Sequence, residues 1–151
     1  MRRASAEDSF AAPLGEAEAL WYDTGRWAGW IDGLSRVVAV EGAWPGVGAE
    51  VRWESNPAGR GGVRERVLIF EPGAGQTLEV EDGSIRGRQS VAFHEREDGV
   101  GVELTLEYEL KERWIVSPVV DFLFIQRAMA ASLRSTLARF GSELAHSRPR
   151  A

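Results

Sequence analysis

The sequence predicts an α+β fold in which seven antiparallel strands are covered by one long C-terminal helix. Three observations support this prediction: apolar residues alternate with period two through residues 36–111, they change to a helical period in residues 117–144, and one strand and two short helical segments precede the alternating region. A chain of 151 residues has the length of one domain, so we expect a single domain over residues 1–147 and a flexible tail at 148–151.

The N-terminal region predicts a strand and two short helices. Residues 3–10 alternate weakly, and Pro13 opens a helical segment that continues to about Tyr22. Residues 24–33 contain three glycines and two tryptophans, which indicates a second short helix or a loop anchored by aromatic rings. Three tryptophans of this region form either a gate or, as we favour, a plug at the open end of the sheet: Trp21, Trp27 and Trp30.

The alternating region predicts a six-strand meander. Its turns have the chemistry of tight antiparallel connections, as in Asp82-Gly83 and Asp98-Gly99. The last strand shows the clearest alternation of apolar and polar residues, so one sheet face is buried and the other is wet. The predicted strands are 36–42, 49–55, 63–71, 76–81, 85–96 and 100–111.

The C-terminal segment predicts a long amphipathic helix, with Ser117 as its N-cap and Pro118 at its first position. One stripe of this helix is apolar except for Gln126 near its middle. Val120 and Phe124 lie on the opposite side, where they pack under the preceding segment with Trp114, form a homodimer contact, or touch a membrane or partner. The stripe consists of Val119, Phe122, Leu123, Gln126, Ala130, Leu133, Leu137, Phe140 and Leu144.

The composition excludes several functional classes. Without cysteine the chain has no disulfides or thiolate sites, which fits a cytoplasmic location. A net charge of −5 argues against a nucleic-acid partner, and the short apolar runs argue against stable membrane insertion. His94 and His146 are too far apart for a metal site, and no complete dinucleotide-binding glycine motif is present, so we expect no metal and no cofactor.

Several short segments resemble motifs of a known family. They are the aromatic segment Trp21-Tyr22-Asp23 through Arg26-Trp27-Ala28-Gly29-Trp30, the strand openings at 48–53 and 63–67, and Glu107-Tyr108-Glu109-Leu110 before the long helix. The chain is similar over nearly its whole length to the START-like, Bet v 1-like superfamily (SRPBCC), and within it to the polyketide cyclase/dehydrase and lipid-transport group. This resemblance implies a helix-grip fold, in which a curved antiparallel sheet wraps the long helix around a hydrophobic cavity. Family members include lipid carriers, cyclases and hormone receptors, so the fold does not decide the function.

The phase of the strands predicts which side chains face the interior: Trp53, Ser55, Val67, Ile69, Leu78, Val80, Gln89, Val91, Phe93 and Tyr108. Glu65, Gln89, Tyr108 and Gln126 are polar residues on apolar faces, so they either satisfy one another or meet water or a ligand. Alternatively, a bulge turns Glu65 outward to pair with Arg64 or Arg66. The predicted ligand-binding residues are Trp53, Glu65, Gln89, Phe93, Tyr108, Phe122, Gln126, Met129 and Leu133.

Three functions are compatible with these patterns. The first is binding or carriage of an apolar small molecule, such as a lipid, polyketide or aromatic metabolite, because no catalytic set is recognisable. The second is a cofactor-independent cyclase or dehydratase in which Glu65 or Tyr108 moves a proton, since burial raises the pKa of a carboxyl group. The third is a protein-interaction module that uses Val120, Phe124 and Trp114.

Overall fold

The structure is a computed structural model that describes residues 1–56, 61–111 and 120–147, with side chains from residue 125 onward in the last range. The predicted α+β fold is confirmed. Its elements are β1 (Arg2–Phe10), α1 (Leu14–Tyr22), a 3-10 helix (Thr24–Gly29), β2 (Leu34–Glu41), β3 (Glu50–Ser55), β4 (Gly62–Glu71), β5 (Gly75–Glu81), β6 (Ile85–Arg96), β7 (Gly99–Leu110) and α2 (Val120–Ser147). The predicted cap at Ser117 and Pro118 and the predicted tail lie outside the described residues.

All seven strands belong to one antiparallel sheet with the order β1-β7-β6-β5-β4-β3-β2. Strands β2 to β7 form the predicted meander, and β1 returns to pair with β7. The longest hairpin is β6–β7, which runs in continuous register from the Ile85–Leu110 pair to the Arg96–Gly99 pair. The short turn fixes this register, so the inward positions of β6 and β7 follow from the alternation along these two strands.

Helix α2 packs on the inward face of the sheet with its C-terminal half. Four apolar residues at helical spacing are nearly inaccessible to solvent: Leu133, Leu137, Phe140 and Leu144. The Phe140 ring makes edge contacts with the rings of Phe10 on β1, at 5.5 Å between centroids, and Trp21 on α1, at 5.1 Å. The helix therefore joins the first strand and the short helices into one core.

The three N-terminal tryptophans, which we call the tryptophan plug, are buried in the core. Trp21, Trp27 and Trp30 are at most 5% exposed. The rings of Trp21 and Trp30 lie 4.7 Å apart, and both contact Phe140. The Trp27 indole N–H donates to the Trp21 carbonyl at 2.8 Å, which satisfies its buried polar group.

A bulge in β4 changes the predicted phase of one residue. The register of β4 with β5 shifts between Val67 and Ile69. Glu65 precedes this shift along the strand, so the shift does not change the face on which Glu65 lies. Val67 and Glu65 are buried, whereas Ile69 is 52% exposed. The prediction that Ile69 faces the interior is wrong, because the extra residue at the bulge reverses the alternation beyond it. The alternative of an outward Glu65 is also wrong, since the bulge lies on its C-terminal side.

Among the helices within the described ranges, none combines the length and the apolar character that crossing a membrane requires.

Candidate functional site

A small cavity of about 50 Å³ lies between α2, the 3-10 helix region and the inward face of strands β3 to β7. Eight of its lining residues are apolar, and four of these carry indole rings: Trp21, Trp27, Trp30, Ile31, Trp53, Leu78, Leu104 and Leu133. Six polar residues complete the lining: Asp32, Glu65, Gln76, Gln89, Ser132 and Thr136. A cavity that combines apolar side chains with polar groups is typical of small-molecule sites.

Glu65 supplies a buried carboxylate to this cavity. It lies on β4 and is 5% exposed. Trp53, on the neighbouring strand β3, donates its indole N–H to Glu65 Oε1 at 3.2 Å. Both side chains face inward because β3 and β4 pair Val51 with Glu65 and Trp53 with Val63. This hydrogen bond from the indole holds the carboxyl group of Glu65 on the cavity wall.

The amides of two glutamines lie on the wall formed by β5 and β6. Gln76 is 3% exposed, and its Nε2 donates to the carbonyl of Pro45 at 3.0 Å, whereas its buried Oε1 has no partner among the described residues. Gln89 is half-buried, and its amide makes no hydrogen bond to any described residue. The indole N–H of Trp30 is likewise buried without a described partner. Unsatisfied buried polar atoms are rare in folded proteins.

Asp32 connects the loop after the 3-10 helix to α2. Its carboxylate accepts hydrogen bonds from the hydroxyls of Ser132, at 2.8 Å, and Ser135, at 3.4 Å. Its backbone N–H donates to Thr136 Oγ1 at 3.0 Å. These three contacts, which we call the Asp32 clamp, fix the helix face that forms one wall of the cavity.

A family model described as "Polyketide cyclase / dehydrase and lipid transport" matches residues 1–145. The chain belongs to the polyketide cyclase/dehydrase and lipid transport family. This membership and the structural neighbours confirm the predicted START-like superfamily. None of the curated proteins matches the sequence.

Solved structures share the fold of this family member at low sequence identity. A START superfamily protein from Mycobacterium smegmatis has a TM-score of 0.79 at 11% identity, with 97% of this chain and 99% of that chain covered. Norcoclaurine synthase from Thalictrum flavum, in complex with dopamine and hydroxybenzaldehyde, has a TM-score of 0.70 at 12% identity, with 99% and 89% covered. A protein from Thermus thermophilus has a TM-score of 0.71 at 21% identity, with 97% and 100% covered.

The structure of this family member brings some of the predicted ligand-binding residues to the cavity. Trp53, Glu65, Gln89 and Leu133 line it. Four others are inside or at the edge of the core but do not line it: Phe93, Tyr108, Gln126 and Met129. The side chain of Phe122 lies outside the described residues, as do Trp114 and the side chains of Val120 and Phe124.

Tyr108 does not line the cavity; on β7 it lies nearer the C-terminal end than Leu104, which does. It pairs with Arg2 on β1 and Gly87 on β6, and it is fully buried. Burial raises the pKa of its hydroxyl, an effect that the charge of Arg2 partly offsets. The hydroxyl has no hydrogen-bond partner among the described residues.

The sequence reasoning missed the clamp and part of the lining. Asp32, Gln76, Ser132 and Thr136 were not predicted. The available signal was a cluster of hydroxyl residues on α2, Ser132, Ser135 and Thr136, within about one turn of each other and beside the buried Leu133.

His94 lies away from the cavity. It is exposed on the outer face of β6, with Nε2 3.8 Å from Glu103 Oε2. Within the described ranges, no three His, Cys, Asp or Glu residues are grouped so that they can hold a metal ion.

Proposed function

We propose that this protein binds an apolar small molecule, such as a lipid, polyketide or aromatic metabolite, between α2 and the sheet. The observation that carries the proposal is the cavity itself, which is lined by eight apolar residues and by the Gln89 amide, a group without a hydrogen-bond partner among the described residues. Apolar contact supplies most of the binding free energy in such sites, at about 25 cal/mol per Å² of buried apolar surface. The polar groups then orient the ligand.

The cavity volume sets a condition on this proposal. The volume of about 50 Å³ holds a few water molecules, whereas pockets for drug-sized ligands measure roughly 300–1,000 Å³. A ligand therefore enters only if side chains on the α2 wall move, or if the helix moves with them. Leu133 belongs to that wall and is 7% exposed. Shortening its side chain should enlarge the cavity and strengthen binding.

Ligand binding can be tested with the tryptophans of the wall as reporters. Wild-type protein and the Leu133→Ala variant are titrated with 1-methylnaphthalene and with palmitate while indole fluorescence is recorded, and native mass spectrometry examines protein purified from cell extract. We expect saturable binding of at least one probe, with tighter binding to Leu133→Ala. Leu137→Ala is the matched control, because Leu137 is also buried but does not line the cavity. Absence of saturable binding to all variants, together with absence of a co-purified ligand, would overturn the proposal.

A cyclase or dehydratase activity is the second candidate, and the buried carboxylate of Glu65 on the cavity wall favours it. In this mechanism the cavity folds a poly-ketone chain and Glu65 moves a proton, with positioning contributing several kcal/mol. Glu65→Gln retains an oxygen that can accept the hydrogen bond from Trp53. The variant is expected to bind a poly-ketone substrate as the wild type does but to lose turnover. Unchanged turnover would remove Glu65 from the mechanism.

A further inference from the structure

Three residues that line the cavity have polar groups without a hydrogen-bond partner among the described residues, and these groups indicate a particular kind of ligand. Trp30 carries an N–H donor and Gln76 an Oε1 acceptor, both fully buried, so a ligand reaches them only when the cavity widens; the half-buried Gln89 amide carries a donor and an acceptor. All three residues line the same cavity of about 50 Å³. A hydroxyl group is the smallest group that accepts from one of these atoms and donates to another through a single oxygen.

The charges of the lining argue against an anionic ligand. Asp32 and Glu65 are the charged residues of the lining, and within its described part there is no lysine, arginine or histidine. The described hydrogen-bond partners of the Asp32 carboxyl group are the neutral hydroxyls of Ser132 and Ser135 and not a cationic side chain. A ligand carboxylate in this small volume would lose its hydration and face a like charge, and both effects are unfavourable.

The apolar wall favours an aromatic ligand over an aliphatic one. Four of its eight apolar residues are tryptophans, namely Trp21, Trp27, Trp30 and Trp53. Indole rings contact other aromatic rings in stacked or edge-to-face geometry with a gain beyond the area that they bury.

From these observations we propose that the ligand is a neutral, hydroxylated aromatic molecule whose hydroxyl is bound by Gln89, Gln76 and Trp30. The hydroxyl accepts from the Trp30 indole N–H and donates to an amide oxygen of Gln76 or Gln89. This inference rests on the proposed function, since it names the chemical class of the ligand for the same cavity.

Three ligands of the same ring size test the inference: 1-naphthol, 1-methylnaphthalene and 1-naphthoate, each titrated against the Leu133→Ala protein at neutral pH by indole fluorescence. One or two hydrogen bonds that replace unsatisfied groups correspond to roughly a tenfold difference in Kd. We expect 1-naphthol to bind about tenfold more tightly than the methyl analogue, and 1-naphthoate to bind most weakly.

Substitutions of Gln89 and Trp30 then separate the contribution of hydrogen bonding to the affinity from the contribution of cavity size. Gln89→Leu should abolish the preference for 1-naphthol without weakening the binding of 1-methylnaphthalene. Gln126→Leu is the matched control, because Gln126 is half-buried and lies off the cavity lining, and it should preserve the preference. Trp30→Phe, which keeps a ring but removes the donor, should reduce the preference in part.

The outcomes distinguish the two proposals. If both neutral ligands bind equally well, or if 1-naphthoate binds most tightly, the hydroxyl inference is overturned while binding of an apolar molecule stands. An unchanged preference in Gln89→Leu would also overturn the role of that amide. If no ligand of the series binds to wild-type protein or to Leu133→Ala, the hydroxyl inference fails, and the proposed function fails with it only when palmitate also does not bind and no ligand co-purifies.

Discussion

The Asp32 clamp makes the strongest prediction about how the helix is held against the sheet. Asp32→Ala removes the carboxylate that accepts from Ser132 at 2.8 Å and from Ser135 at 3.4 Å, and it leaves the backbone hydrogen bond to Thr136 intact. A hydrogen bond to a charged group contributes about 1.5–3 kcal/mol when buried. Because Asp32 is only half-buried and the second bond is long, we expect the free energy of unfolding to fall by about 2 kcal/mol.

The expected loss can be measured by urea unfolding monitored through tryptophan fluorescence, and by thermal unfolding. For a chain of this size 1 kcal/mol corresponds to roughly 2–4 °C, so the Tm of Asp32→Ala should fall by about 4–8 °C. Asp32→Asn keeps one acceptor oxygen and should lose about half as much free energy.

A double-mutant cycle assigns the loss to the clamp. Ser132→Ala combined with Asp32→Ala should give a coupling free energy of about 1 kcal/mol, since the two side chains share one hydrogen bond. Ser142→Ala is the matched control, because the hydroxyl of Ser142 donates to the Ala138 carbonyl of its own helix. Additive effects of Asp32→Ala and Ser132→Ala, within about 0.5 kcal/mol, would refute the reasoning.

Three further predictions concern buried groups and the backbone. Burial raises the pKa of Tyr22 above its ordinary value near 10, so the unfolded chain ionises this tyrosine first and the free energy of unfolding falls as the pH rises above about 10; its hydroxyl has no described partner. Because the substitution removes an unsatisfied buried hydroxyl, Tyr22→Phe should leave the free energy of unfolding at pH 7 unchanged or raise it by up to about 1 kcal/mol. In urea unfolding, the free energy of unfolding of the variant should fall less steeply above about pH 10 than that of the wild type, and an equal pH dependence would contradict this prediction. A Cβ on Gly75 would lie 2.0 Å from a backbone carbonyl oxygen of β6, so Gly75→Ala should cost about 3 kcal/mol or more, whereas Gly15→Ala, with open space around it, should change stability by less than about 0.5 kcal/mol. Val67→Ala should cost about 2 kcal/mol and Ile69→Ala less than about 1 kcal/mol in the same unfolding assay, and the reverse order would place the β4 bulge elsewhere.

The strands and helices were predictable because their signals are local. The alternation in β7 fixed which of its residues are buried, and the Asp82-Gly83 and Asp98-Gly99 turns fixed the hairpins on either side of β6. Ile69 is the exception, since a bulge adds one residue to a strand without a distinctive residue type at that point.

The candidate site was only partly predictable, because it joins residues that are far apart in the chain. The polarity of Glu65 and Gln89 on apolar faces was visible in the sequence, and both line the cavity. Gln126 has the same signature, yet it lies off the lining, because period alone gives the face of a helix and not its position along the sheet. Asp32 gave no such signal, since its partner Ser132 on α2 is 100 residues away in the chain.

The sequence by itself determined the seven strands, the long helix and, except beyond the bulge in β4, the buried face of each element, because alternation and helical period are properties of neighbouring residues. The tertiary structure decided which polar groups share a cavity, which carboxylate clamps α2, and how little volume remains beneath the helix. These features depend on the angle and height at which α2 crosses the sheet. That placement results from the packing of Phe140 between Phe10 and the tryptophan plug, and no single segment of the chain encodes it.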